Sequence, residues 1–196
     1  FFGPHQGILW GKLDFLEKLP AYKVRPADDR SPGKFETGTQ SHEGQAGTLG
    51  ALEYLTELGK LYGKPYENKY NNLREASCYL HNAMEVIRDY EETLSTHLIS
   101  GLRSIKGVHI HGITAPDKMR MRVPTVSIIK KGIHPGDLAK RLAAENIFVW
   151  DGDYYAVEVI KHLGLEDKGG MLRIGAVHYN TIEEIDTLLN IIDLIK

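Results

Sequence analysis

At 196 residues the chain is long enough for one large domain, or for one domain with part of a second, and its 42% hydrophobic content suffices for a buried core. Twenty-four basic against twenty-six acidic residues give a net charge of −2 with no block of one sign. That balance argues against a nucleic-acid or membrane partner while leaving room for a local anion site. A single cysteine, Cys78, excludes an internal disulfide and leads us to expect a cytoplasmic location. No apolar run approaches a bilayer span, and the first residues lack a signal-peptide pattern. An opening on Phe1-Phe2-Gly3-Pro4 is rare in a mature protein, so a processed or truncated chain is expected.

Taken in order, Ile8 to Trp10 predict a short buried strand bounded by Gly7 and Gly11. Leu13, Leu16 and Leu19 form a brief helical stripe that Pro20 stops. Tyr22 to Pro32 is polar, carries two prolines and predicts a surface loop. Next comes Phe35-Glu36-Thr37-Gly38-Thr39-Gln40-Ser41-His42-Glu43-Gly44, between an extended run and a long amphipathic helix. Gly38 permits backbone angles that other residues avoid, and Thr39, Gln40 and Ser41 place hydroxyl and amide donors just ahead of the helix start. A phosphate or carboxylate could settle there, because a helix N-terminus offers unpaired N–H groups. A capped helix after a polar turn would read the same way without a ligand.

Two helices are then expected. The first has an apolar face of Ala46, Leu49, Leu52, Leu55 and Leu58, with Gly63 at its C′ site and Pro65 just beyond. The second begins near Asn71 or Asn72 and carries Leu73, Ala76, Leu80, Ala83, Ile87, Tyr90, Leu94 and Leu98 along one stripe. Cys78 lies off that stripe, as a small residue on a helix flank. After Gly107 the pattern changes to strands at Val108–His111, Val123–Ile129, Ile147–Trp150 and Met171–Val177. Helices are expected at Pro135–Asn146, with Leu138, Leu142 and Ala143 facing the core, and at Tyr155–Leu163. A last helix is capped by Thr181 with Glu184 and faced by Ile185, Leu188, Leu189, Ile192 and Ile195. Strands alternating with surface helices indicate an α/β sandwich for this part.

Within the strands, Arg173 stands between Leu172 and Ile174, on the opposite face from both. It is either a solvated strand arginine or an anchor that holds a carboxylate through two parallel hydrogen bonds. Gly170 and Gly175 nearby would let a ligand approach closely. His109 and His111 share one strand face, but no Cys, Asp or Glu close in sequence completes a ligand set, and no metal site is expected.

Three ordered motifs carry a family resemblance: Phe1-Phe2-Gly3-Pro4-His5-Gln6-Gly7 with Ile8-Leu9-Trp10-Gly11, Phe35-Glu36-Thr37-Gly38-Thr39, and Arg173 followed by Tyr179-Asn180-Thr181-Ile182-Glu183-Glu184. Together they resemble the C-terminal half of the class V, fold-type I pyridoxal-phosphate enzymes, which include cysteine desulfurases and aminotransferases. The resemblance implies an α/β fold: the end of the large domain over 1–70, a long connecting helix over 71–106, and a small α/β sandwich over 107–196 with a mostly antiparallel sheet. It implies pyridoxal 5′-phosphate as cofactor, an amino-acid substrate, and a homodimer with shared active sites. Arg173 would bind the substrate carboxylate. Gly38, Thr39 and Gln40 would meet the cofactor phosphate, with Thr39 reaching it from the neighbouring subunit. His5 and Tyr155 would contact substrate, although His5 and Gln6 also read as simple turn chemistry.

No catalytic residue is expected within the chain itself, since the family's Schiff-base lysine would lie immediately before Phe1. The chain alone is therefore expected to be inactive, and a non-catalytic dimerisation or interaction fragment is the alternative. In cysteine desulfurases the loop matching Val149–Ala156 carries a nucleophilic cysteine, and here Tyr155 takes that place. A phenol forms no persulfide, so an aminotransferase is favoured, with a lyase, a racemase or epimerase and a true desulfurase as further alternatives. Asp151, Asp153, Tyr154 and Tyr155 form either a polar, aromatic pocket lip or a tight turn with Asp153 as an N-cap.

Overall fold

The structure, a computed structural model, describes residues 3–195. The chain forms two compact units, Phe1–Met84 and Glu85–Lys196, and the boundary falls inside a long helix.

The first unit contains α1 (Leu13–Lys18), α2 (His42–Tyr62) and the start of α3 (Glu75–Ser104). Its loop over 20–34 is tied down by Lys34, a buried lysine whose Nζ donates to the carbonyls of Glu17 (2.9 Å) and Leu19 (3.2 Å). Backbone oxygens thus stand in for the carboxylate a buried ammonium would otherwise require. The expected buried strand at Ile8–Trp10 does not form. These residues are 69%, 79% and 83% exposed, and no strand lies among the described residues of this unit to supply a ladder partner.

The inward face of α2 also differs from the leucine stripe. Gly44, Thr48, Leu55 and Gly59 are buried, whereas Leu49 is 57% exposed. Small residues face inward because the backbone of α3 passes close to Gly59. Gly63 ends α2 as a C-cap with φ −77°, in the right-handed rather than the left-handed region, and its N–H donates to the Gly59 carbonyl. The long helix starts at Glu75, a turn later than the apolar pattern indicated. Of the expected stripe, Ala83, Ile87, Leu94 and Leu98 are buried, while Ala76 lies in the exposed first turn.

The second unit is a two-layer sandwich. Strands β1 (Val108–His111), β2 (Thr125–Lys130), β3 (Trp150–Gly152) and β4 (Met171–Gly175) form one sheet in the order β1-β2-β4-β3, with every neighbouring pair antiparallel. The helices are the rest of α3, α4 (Pro135–Ala144), the short α5 (Val157–His162) and α6 (Ile182–Leu194). One sheet face presents Val126, Ile128, Leu172 and Ile174 to a core completed by Leu94, Leu98 and Leu102 of α3, Leu138 and Leu142 of α4, and Ile185, Leu188 and Ile192 of α6. Each such side chain contributes roughly 1.5–3 kcal/mol by leaving water.

Boundary differences have local causes. The third strand is Trp150–Gly152 rather than Ile147–Trp150, because the Ile147 N–H is spent on the Leu142 carbonyl (3.0 Å) closing α4. On α4 the half-buried Ala139, not the exposed Ala143, completes the inward face. Helix α5 begins only at Val157, since Tyr154 and Tyr155 adopt positive φ. The Thr181–Glu184 capping box of α6 is present with both of its hydrogen bonds.

Candidate functional site

Alternation along β4 turns Leu172 and Ile174 into the core and Arg173 onto the opposite sheet face. Strand register extends that position into a row. His111 pairs with Ser127, Ser127 with Arg173, and Arg173 with Trp150, so one residue from each strand lies on the same line across the sheet. Directly paired residues share a face, with Cβ atoms about 4.5–5.5 Å apart.

The turn after β3 adds a fifth residue. Gly152 (φ +94°), Tyr154 (φ +36°) and Tyr155 (φ +64°) place three left-handed residues within four positions. Two of them are tyrosines, each held there at a cost on the order of 1 kcal/mol or more. The Asp153 carboxylate accepts the Tyr155 N–H (3.0 Å) and the Asp153 carbonyl accepts the Ala156 N–H (2.7 Å), which stabilises this path. The turn brings the Tyr154 ring back over the sheet against Ile160, Leu165 and Met171 and leaves Tyr155 94% exposed.

The Arg173 guanidinium carbon lies 5.1 Å from the Tyr154 ring centroid and 5.8 Å from that of Trp150. Cation–π attraction to two rings orients a guanidinium without consuming its N–H donors. No ion pair to Arg173 is found among the described residues, so its donor edge remains for an anion. The Tyr154 hydroxyl donates to Ser127 Oγ at 3.0 Å. Burial pushes the Tyr154 phenol above its ordinary pKa, opposed by the Ser127 hydrogen bond and the Arg173 charge, which keeps it a neutral donor near pH 7. At the far end of the row, the His111 and His109 rings meet edge to face at 4.7 Å. Burial first, then the neighbouring His109, lowers the His111 pKa.

The other candidate residues lie in the first unit. Gly38 has φ +76°, and a Cβ built on it would meet nothing within 4 Å. Thr39 is exposed and Gln40 half-buried, directly ahead of the α2 N-cap Ser41, whose hydroxyl accepts the Gly44 N–H at 3.3 Å. The N-terminal segment runs beside the same end of α2. The Thr48 hydroxyl lies 2.9 Å from Gln6 Oε1 and 3.0 Å from the Gly44 carbonyl, and Pro4 packs on Gly47. Exposed His5 therefore sits between two residues that touch the first two turns of α2. Cys78 is half-buried on α3, with Asn82 Nδ2 3.7 Å from its sulfur.

The sequence points to Arg173 but not to Ser127 or Trp150 as its neighbours, and it offers Tyr154 only as part of a pocket lip or a tight turn. The available signal was Ser127 between Val126 and Ile128, a lone polar residue in the same alternation as Arg173.

The family model described as Aminotransferase class-V matches residues 68–188. The aminotransferase-like protein FGM3 of Gibberella zeae is 31% identical over 198 residues, covering 99% of this chain and 43% of its own length. The probable cysteine desulfurase 1 of Mycobacterium leprae is 28% identical over 197 residues, covering 95% of this chain and 27% of its own length. This chain thus spans less than half of either relative. Among solved structures, the cysteine desulfurase CsdA of Escherichia coli superposes with a TM-score of 0.62 at 21% identity, over 94% of this chain and 40% of that one. The apo cysteine desulfurase of Thermococcus onnurineus gives 0.58 at 23% identity, over 84% and 33%. These structures share the fold, that of part of a fold-type I enzyme, and the family match covers most of the chain. The chain belongs to the class-V aminotransferase family.

Proposed function

We propose that this chain supplies the substrate-carboxylate anchor and the cofactor-phosphate element of a pyridoxal-phosphate enzyme that acts on an amino acid. The observation that carries the reading is Arg173, a half-buried guanidinium oriented by Trp150 and Tyr154 with no carboxylate partner among the described residues. Arg173 fixes the substrate by two parallel N–H bonds to its carboxylate, and the flanking rings of Trp150 and Tyr154 orient the guanidinium for that contact.

The donors ahead of α2 fit a phosphate monoester. Gly38 leaves open space, Thr39 offers an exposed hydroxyl, Gln40 an amide, and a 21-residue helix follows. Pyridoxal phosphate, when bound, supplies an electron sink for bonds broken at the substrate α-carbon. Transamination is favoured over desulfuration, because Tyr155 occupies the position where the resemblance puts a desulfurase cysteine, and a phenol cannot take up sulfur. Lyase and racemase chemistry would use the same anchors. Assembly as a homodimer fits Ile8, Leu9, Trp10, Leu13 and Phe15, which are 60–83% exposed and form an apolar run in the first unit.

The test is binding of L-alanine against L-alaninamide, read from the fluorescence of Trp150 in a Trp10→Phe background where it is the only indole. The anchor reading expects saturable binding of the amino acid, weaker binding of the amide, and loss of that preference in Arg173→Ala. Equal binding of both ligands would overturn it.

A further inference from the structure

We infer that Ser127 is a second carboxylate-binding residue beside Arg173, and that Tyr154 is the positioning residue that aims its hydroxyl. The inference rests on the reading of Arg173 as a carboxylate anchor. Ser127 and Arg173 are direct cross-strand partners on β2 and β4, so both side chains rise from the same face of the sheet. Tyr154 lies against both. Its ring is 5.1 Å from the Arg173 guanidinium carbon, and its hydroxyl is 3.0 Å from Ser127 Oγ.

A serine hydroxyl has one proton to donate and two lone pairs to accept with. The Tyr154 phenol fills one lone pair as a donor. Ser127 then keeps its own proton, and no other hydrogen bond of its side chain claims that proton among the described residues. A carboxylate gripped by Arg173 carries lone pairs beyond the two that a guanidinium takes, and an adjacent hydroxyl donor meets one of them.

The chemistry of the row also fits its placement. Ser127 stands between the core residues Val126 and Ile128 of β2, on the face that bears Arg173 and away from the main core. Tyr154 reaches it only because the turn holds two successive tyrosines at positive φ. A structural role alone would need neither the hydroxyl on Ser127 nor that on Tyr154, since the Tyr154 ring is already packed by Ile160, Leu165 and Met171.

The experiment uses the Trp150 fluorescence titration with L-alanine and L-alaninamide on the whole chain. Ser127→Ala should weaken L-alanine binding about tenfold, the effect of one hydrogen bond to a charged group, and leave L-alaninamide within about twofold. Tyr154→Phe keeps the ring and should weaken L-alanine about two- to fivefold by releasing the Ser127 proton from its set direction. Ser127→Thr, which retains a hydroxyl, should bind within about threefold of the unchanged chain. If Arg173→Ala loses carboxylate preference while Ser127→Ala and Tyr154→Phe keep it, this inference is wrong and the anchor stands. If the unchanged chain shows no preference for the carboxylate, both fall. Equal weakening of amino acid and amide in Ser127→Ala, or weakening by Ser127→Thr as large as by Ser127→Ala, would mark Ser127 as a packing residue and also overturn the inference.

Discussion

A Cβ built on Gly59 would stand 2.0 Å from the carbonyl oxygen of Tyr79, the closest such approach in the first unit. Backbone, unlike the tip of a flexible side chain, cannot swing aside. Alanine is the better helix former by about 1 kcal/mol, so Gly59→Ala weighs propensity against a clash. The clash wins, and the variant should lose roughly 1–3 kcal/mol of stability, the usual cost of overpacking. Gly50 lies on the same helix with open space around it. Gly50→Ala should instead gain about 0.5–1 kcal/mol. Thermal melts of the two variants check both signs, and stabilisation by Gly59→Ala would refute the close approach.

The capping box of α6 gives a pH signature. The Thr181 N–H, then the Asn180 amide, hold the Glu184 carboxyl below its ordinary pKa. A carboxyl whose folded value is depressed adds stability that is fully present above its unfolded pKa of about 4.5 and is lost as pH falls through the folded value. Glu184→Ala should therefore melt earlier than the unchanged chain at pH 7, with the difference shrinking below pH 4.5. A difference that stays constant down to acid would show that the side chain acts by packing alone.

Arg173 should dominate turnover as well as binding. In the full-length enzyme, assayed with pyridoxal phosphate and an amino-acid substrate, Arg173→Ala is expected to raise KM and to cost roughly 2–5 kcal/mol in kcat/KM. Unchanged kinetics would remove Arg173 from the site.

Cys78 should take no part in sulfur chemistry. It is half-buried on α3, beside Asn82. Mass spectrometry of the full-length protein after incubation with L-cysteine and cofactor should find no stoichiometric sulfur adduct on it. An adduct formed at the turnover rate and abolished in Cys78→Ser would make this a desulfurase with its nucleophile on the helix, against the reading from Tyr155.

Local rules carried a large part of the fold because the relevant physics is local. The Ala83-Ile87-Leu94-Leu98 stripe is a helical period, Thr181 with Glu184 is a cap written in four residues, and the alternation of Leu172, Arg173 and Ile174 sets which face the guanidinium takes. The strands of the sandwich were likewise readable from β-rich runs bounded by glycine and proline, though their ends were not. Residues 147–149 have strand composition, yet the Ile147 amide is claimed by α4.

Tertiary structure decided everything that depended on a partner distant in sequence. Ile8-Leu9-Trp10 reads as a buried strand, but burial needs a neighbour and none among the described residues covers it. The glycine face of α2 became intelligible only once the Tyr79 backbone lay against Gly59. The sequence by itself pointed to Arg173 and placed both Tyr154 and Tyr155 in the aromatic lip, with the resemblance naming Tyr155 for the substrate, but which ring lies beside Arg173 was left for the tertiary structure to choose. Two positive φ angles made that choice, because they turn Tyr154 onto the sheet and Tyr155 into solvent. Ser127 lies 46 positions from Arg173 in the chain, and only antiparallel register, a property of two strands at once, sets them side by side.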